Sequence, residues 1–431
     1  MEDKRITVLS VCTSDSVGGA ARAAYRIHQG VNNLGVNSSM LVKDKRSSDT
    51  SVHALDEFLP SGVLFHICDW FANKVKNKWQ HFQWNHYPAR ERIFMSDMRS
   101  TRVFGAMNKL DYDVLHLHWI NLRFFPLEEL KRTGRPIIWT LHDSWPFCGI
   151  CHYTFKCEGY MYQCGNCPQL HSANATDLSH KIWSRKKRIY RNLDLHIVTP
   201  SNWLAGCARN SSLLGKFPVT VIPNCIETDV FRPLSNGELS NRWDWLVSGK
   251  KDKRYILFGA VNATDDKIKG FSNLLSALNE LSQKNIGNCV ELVVFGADRP
   301  IDGMPGSIPT HYVGYIRDID ELVSLYNIAD VVVVPSLTEN LSCTIMESLS
   351  CGTPVAAFDI GGNGDMIDHM KNGYLAKELD DADLAEGIAW CLDNNEDESL
   401  SGCARKKVLD NYTPEIVCQQ YKKLYYSLIS R

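Results

Sequence analysis

One pattern constrains the fold of this chain more than any other, and it occurs in both halves. A short apolar, β-branched run is followed by a loop, a segment with helical apolar spacing, and another apolar run. Residues 5–11, RITVLSV, open it. TSDSVGGAARAAYRIHQGVNNLG then places Ala20, Ala24, Ile27, Val31 and Leu34 at helical spacing, with Gly35 as a stop. VNSSMLV is the next strand. This β-loop-α-β unit implies a parallel sheet. The pattern continues through DVLHLHWI (113–120), LEELKRTG, PIIWTLHD (136–143) and IVTPS (197–201). It restarts with RYILFGAV (254–261), helix FSNLLSALNELSQK, VELVVFGAD (290–298), HYVGYI (311–316), helix ELVSLYNIAD and VVVVPS (331–336). A chain of 431 residues is too long for one ordinary core. The spacing therefore predicts two doubly wound α/β domains.

The expected boundaries are 1–215 for the first domain, with a cysteine-rich insert at 148–167, and 216–410 for the second. A terminal helix over 411–431 is expected to pack back on the first domain. Residues 202–253, which contain PNC, FRP and SNGELSNRW, suit a linker region. In the last helix, Thr413 can cap, Pro414 suits the first turn, and Ile416, Val417, Tyr421, Leu424, Tyr425 and Leu428 form an apolar face.

Composition narrows the partners. The hydrophobic fraction is 44% and the charged fraction 22%, as in a globular protein. A net charge of −2 gives no ground for a nucleic-acid partner. No apolar run reaches the ~20 residues of a spanning helix. The start, MEDKRITVLSV, reads as a first strand and not as a signal region, so the expected compartment is the cytoplasm, where the 15 cysteines stay reduced. Residues 62–79, GVLFHICDWFANKVKNKW, carry an apolar helical stripe. It suits core packing, or peripheral contact with the inner face of a membrane. SRKKRIYR (184–191) is expected to be a solvated basic face.

ENLSCTIMESLSCGTPVAAFDIGG (339–362) is the stretch with chemistry in it. VVVVPS is continuously apolar, as a strand buried on both faces should be. Loop SLTEN leaves its C-terminal end, where open α/β sheets bind ligands. A helix starting near Leu341 would turn its free N–H groups toward that crevice and favour an anion. Glu339 falls at the rim, and Glu347 lies two turns further on. An acidic residue that grips ribose hydroxyls is a known solution in nucleotide sites. The residues suit a nucleotide diphosphate bearing a further polyol.

The order strand, PS, E-x7-E, G-x-P-V strand and GG turn resembles the donor site of family 4 retaining glycosyltransferases, which share the GT-B fold of two Rossmann-like domains facing a cleft. The resemblance covers nearly the whole chain. FGAVNATDDKIKGF resembles the phosphate loop, VGYI the base-receiving loop, VIPNCIETDVFRP the linker-proximal motif, TLHD the active-site histidine and SVGGAARAAYRIH the N-terminal glycine loop. The resemblance implies that Glu347 holds the ribose, and that Glu339 with Asn340, Leu341 and Ser342 holds the sugar. Lys269 would neutralise the diphosphate, and His142 would position the sugar. Gly18 and Gly19 would let backbone approach the phosphate, and Gly314 and Ile316 would receive the base. No catalytic metal is implied. Partners would be a nucleotide-sugar donor and a lipid-linked or glycan acceptor of a bacterial surface polysaccharide. Two rivals share the fold: a sugar-nucleotide 2-epimerase and a non-catalytic transferase-like binding protein. Ala260 stands where the family usually has arginine, which keeps the second rival open.

WPFCGICHYTFKCEGYMYQCGNCPQL holds Cys148, Cys151, Cys157, Cys164 and Cys167 within 20 residues. Paired C-x-x-C turns in a reduced compartment read as a structural zinc site. Spacing favours Cys148, Cys151, Cys164 and Cys167, and the resemblance favours Cys151, Cys157, Cys164 and Cys167. His152 is a further candidate. His116 and His118, in HLH, lie on one face of a strand and read as structural or acceptor-side.

Overall fold

The computed structural model describes residues 5–58, 74, 78, 84–91, 102–260, 262–283, 289–297, 308–394 and 398–430. The chain divides into two units, one of residues 1–223 with 418–431 and one of residues 224–417.

In the first unit, seven parallel strands lie in the order β3-β2-β1-β4-β5-β6-β7. They are β1 (Thr7–Ser14), β2 (Asn37–Asp44), β3 (Val52–Ala54), β4 (Val114–Leu117), β5 (Ile137–Thr140), β6 (Leu195–Thr199) and β7 (Val219–Val221). β4, β5 and β6 are buried at every position, which explains their unbroken apolar runs. The order reverses between β1 and β4, which pair in register Val8↔Val114. The second unit repeats this plan with six strands in the order β10-β9-β8-β11-β12-β13. They are β8 (Arg254–Gly259), β9 (Val290–Phe295), β10 (Thr310–Gly314), β11 (Val331–Val334), β12 (Val355–Phe358) and β13 (Gly373–Ala376). Its order reverses between β8 and β11, paired Val331↔Ile256.

Several sequence expectations shift. Residues 202–253 are not simply a linker. Asn202–Asn210 is a helix capped by Ser201, and β7 pairs with β6, so the first unit runs on past residue 215 to Pro223. LEELKR forms a 3-10 helix, Leu127–Arg132. Basic stretch 184–191 is not all solvated: Lys186 is buried, its ammonium donating to the carbonyls of Trp145, Cys148 (2.8 Å) and Gly149 (3.1 Å) and lying over the Trp145 ring. Burial pushes its pKa down to about 7. In the last helix, Pro414–Ile429, Ile416 is exposed, whereas Val417, Tyr421 and Tyr425 are buried. From Cys418 on this helix belongs to the first unit, where Tyr425 reaches His116 and Lys422 donates to the Leu34 carbonyl (2.7 Å). Apart from exposed Lys74 and Lys78, the apolar stripe at 62–79 lies outside the described residues. Among the described residues, no helix is long and apolar enough to cross a membrane.

Three glycines fix the loops at the C-terminal edge of the second sheet. A Cβ on Gly270 would stand 1.8 Å from the Pro335 carbonyl oxygen, one on Gly296 1.8 Å from that of Ala260, and one on Gly361 1.7 Å from that of Glu339. All three have positive φ, of 70°, 78° and 60°. An alanine there meets both a left-handed backbone penalty and a backbone clash. Gly237 has open space around its Cβ position. Gly270→Ala is expected to cost more than ~2 kcal/mol, a drop of several degrees in Tm, and Gly237→Ala to cost little. Thermal melts of the two variants check this, and equal midpoints would contradict it.

Candidate active site

A cavity of about 240 Å³, partly open to solvent, lies at the C-terminal ends of β8 and β11. This is where the strand order of the second unit reverses, and it is where doubly wound sheets bind ligands. Gly259 lines it from the end of β8 and Ala260 from just beyond, Pro335 and Ser336 from just past β11, and Lys269, Glu339 and Ser342 from the connecting segments. The loop at 267–270 is tied to the β11 loop by the Leu337 N–H, which donates to the Ile268 carbonyl (2.8 Å), and by the approach of Gly270 to Pro335. The GG turn at 361 abuts the backbone of Glu339.

These contacts bring Lys269 and Glu339 together. The ammonium lies 3.4 Å from one carboxylate oxygen, and the other accepts from the Asn340 N–H (3.2 Å). Both side chains are partly exposed, so the pair adds little to stability, about 0.2–1 kcal/mol. Its importance is chemical: a cation and an anion are held at a cavity otherwise lined by small and apolar groups. Ser342 caps helix Cys343–Ser350, its hydroxyl accepting from the Ile345 N–H (3.4 Å). The helix begins two residues later than its sequence suggests. Ser342 and Thr344 both line the cavity, so the positive end of the helix faces it. The Leu341 side chain belongs to the core.

Glu347 does not line this cavity. It is buried on the same helix and accepts a hydrogen bond from the Tyr326 hydroxyl (2.9 Å). Tyr326 was not legible as a site residue, since its helix shows only ordinary apolar spacing. Burial, and then the Glu347 carboxylate, push its pKa up. Gly314 ends β10 at φ 74°, and its carbonyl accepts from the Gly296 N–H (2.8 Å). Ile316 packs against the core, and Tyr315 donates to Asn262 (2.9 Å).

The other expected residues lie in the first unit. Gly18, at φ 88°, precedes helix Gly19–Asn33 at the switch between β1 and β4. His142 follows β5, with its Nε2 3.2 Å from Nδ1 of His118. Burial lowers the pKa of His142 to about 4, against a weaker opposing pull from Asp143. His116 joins Tyr425 and Thr140, both at 2.8 Å, and burial lowers its pKa to about 3. Burial also drives His118 well down, helped by His116 and His142. Asp143 accepts from Trp119 (2.7 Å), from the Trp145 N–H (2.9 Å) and from His152 (2.6 Å). His152 is thus a partner of Asp143 through its Nδ1.

All five clustered cysteines line one cavity of about 330 Å³. Their sulfurs suit a soft metal ion chemically. Among the described residues, however, no three His, Cys, Asp or Glu side chains converge as an ion would require. The expected ligands Cys151, Cys157, Cys164 and Cys167 are arranged as free thiols, with the Gly149 N–H donating to the Cys164 sulfur (3.2 Å). They do not fit a metal as placed.

Two sheets of one doubly wound plan, the second with a charged cavity at its switch point, define the GT-B class. A family model described as "Glycosyl transferases group 1" matches residues 241–407, and one described as "Glycosyltransferase Family 4" matches residues 17–230. The chain belongs to this glycosyltransferase family. It is 29% identical over 266 residues to the putative colanic acid biosynthesis glycosyl transferase WcaC of Escherichia coli K12, a match over 60% of this chain and 61% of that protein, less than two thirds of it. Over 118 residues, 27% of this chain and 30% of the relative, it is 35% identical to the N,N'-diacetylbacillosaminyl-diphospho-undecaprenol alpha-1,3-N-acetylgalactosaminyltransferase of Campylobacter jejuni. Among solved structures it is similar to Anabaena HepE in complex with UDP-glucose (TM-score 0.62, 15% identity, 98% of this chain and 100% of that one), a likeness of fold alone.

Four buried histidines in the first unit, His28, His116, His118 and His142, have folded pKa values below the ordinary 6.5. Below pH 6.5 the unfolded chain takes up protons that the folded unit refuses, so stability falls as pH drops. Melting midpoints are expected to decline from pH 6.5 to about 5, a window above that in which the unfolded chain's carboxylates begin to take up protons. A flat profile there would contradict the neutral cluster.

Proposed function

We propose that the protein transfers a sugar from a nucleotide-diphosphate sugar to a hydroxyl of a lipid-linked or other glycan acceptor, with retention of configuration. The observation that carries this reading is the Lys269–Glu339 pair at the switch-point cavity, beside the capped start of helix Cys343–Ser350. Support also comes from the names of the relatives, which act on glycans and, in one case, on a diphospho-undecaprenol acceptor, and from a structural neighbour that holds UDP-glucose.

Lys269 neutralises the diphosphate. With alanine at 260, Lys269 is the cation that lines this cavity among the described residues. The helix start adds oriented N–H groups. Glu339 and Asn340 hold sugar hydroxyls, while Glu347, buried on helix Cys343–Ser350 away from this cavity, holds the Tyr326 hydroxyl. In the first unit, His142 offers a hydrogen bond to substrate. As the bond from the anomeric carbon to the phosphate oxygen breaks, negative charge grows on the diphosphate, and Lys269 stabilises it. The acceptor oxygen bonds to the same carbon, and its proton passes to an oxygen of the leaving diphosphate.

The test is transfer from UDP-, GDP- and ADP-sugars to lipid-linked glycan, read as labelled lipid and released nucleotide. Lys269→Ala is expected to lower kcat by about a hundredfold or more. Glu339→Gln, which keeps the shape but loses the charge, is expected to raise KM for the donor sugar. Turnover that survives Lys269→Ala would overturn the assignment. An epimerised donor formed without any acceptor would replace transfer with isomerisation.

A further inference from the structure

The first unit holds three imidazoles in a row. His116 lies on β4 and His118 just beyond it, on the same face, and His142 follows the neighbouring β5. The His116 and His118 centroids are 4.1 Å apart. Those of His118 and His142 are 5.4 Å apart with planes 28° apart, while His118 Nδ1 and His142 Nε2 are 3.2 Å apart. The centroid separation exceeds the nitrogen separation by 5.4 − 3.2 = 2.2 Å, so the two rings meet edge to edge in hydrogen-bond geometry.

One of these two nitrogens must carry the proton. His118 sits in a fixed frame: its backbone N–H donates to the Val11 carbonyl (2.9 Å), and its carbonyl accepts from the Trp139 indole (3.0 Å). Its Nε2 is buried and, among the described residues, has no hydrogen-bond partner. If His142 donated from Nε2, neutral His118 would carry its proton on that buried, partnerless Nε2. An orphaned buried N–H is among the rarest arrangements in proteins. If His118 donates from Nδ1, only a lone pair is left unmatched. A doubly protonated His118 is opposed by burial and by both neighbouring imidazoles. The remaining arrangement has His118 Nδ1–H donating to His142 Nε2. His142 is neutral, so its own proton is on Nδ1.

We propose that His118 is a positioning residue that locks His142 in its Nδ1–H tautomer, so that His142 meets the substrate as a neutral hydrogen-bond donor and not as a base. Such a donor suits a sugar hydroxyl or a phosphate oxygen. It cannot take the acceptor's proton through Nε2, whose lone pair is already engaged. Any effect on turnover rests on the transferase reading; the tautomer does not.

The test is long-range ¹H–¹⁵N NMR of the full chain with ring-labelled histidine at neutral pH. The result expected is a protonated Nδ1 and bare Nε2 on both His118 and His142. A protonated Nε2 on His142, or an exchange average of the two tautomers, overturns the proposal. His118→Asn keeps an N–H donor near the position of Nδ1, and His118→Leu removes it. His118→Leu is expected to release the His142 tautomer and to lower kcat by about tenfold to a hundredfold, with His118→Asn restoring both. Equal losses in the two variants, or an unchanged His142 tautomer in His118→Leu, would sink the idea. If neither variant folds, the wild-type spectrum decides alone. A wild-type spectrum as expected in a protein that transfers no sugar would leave the tautomer standing and remove only its catalytic consequence.

Discussion

Where the loop before helix Phe271–Ser282 crosses the end of β11, two backbones lie closer than any side chain permits. Gly270 faces the Pro335 carbonyl there, and Gly361 faces that of Glu339. The candidate site depends on these crossings. Lys269 is one residue from the first and Glu339 is at the second, so the ion pair is set by backbone packing and not by its own attraction. A weak, partly exposed pair could not hold two loops together. Held by the loops, it keeps opposite charges at a fixed spacing, and a bound phosphate would find its cation already in place.

The two units use charge differently. In the second, charged side chains stand at an open cavity and the helix start adds its dipole. In the first, burial strips charge away. His116, His118 and His142 are held neutral, while Asp143, though buried, stays in its charged form because His152, Trp119 and the Trp145 backbone all reach it. Here burial would raise the carboxyl pKa, and the partners outweigh it. Neutral imidazoles keep a hydrogen-bonding geometry that does not change as pH moves around neutrality.

Much of the fold was legible because parallel strands buried on both faces read as unbroken apolar runs. VVVV at β11 and IIWT at β5 show this. That Lys269, Glu339 and Ser342 share one cavity was legible, since the strand end and the helix start fix where such residues stand. Errors came where a short-range reading met a long-range partner. Lys186 sits in a basic run, yet carbonyls from residues 145–149 draw it inside. Tyr326, the partner of Glu347, left no mark in its helix. The spacing of the five cysteines suits a metal, and all five line one cavity, although among the described residues no three ligating side chains converge there.

The most direct measurement is the thermal midpoint of the whole protein with UDP, GDP and ADP in turn, each at high excess, beside Lys269→Ala. A ligand at about 100 times its Kd adds roughly 2.7 kcal/mol, which a melt resolves. One of the three is expected to raise the midpoint, its monophosphate to do so less, and Lys269→Ala to lose the response. No rise with any nucleotide, or a rise that Lys269→Ala leaves intact, would contradict a diphosphate site at this cavity.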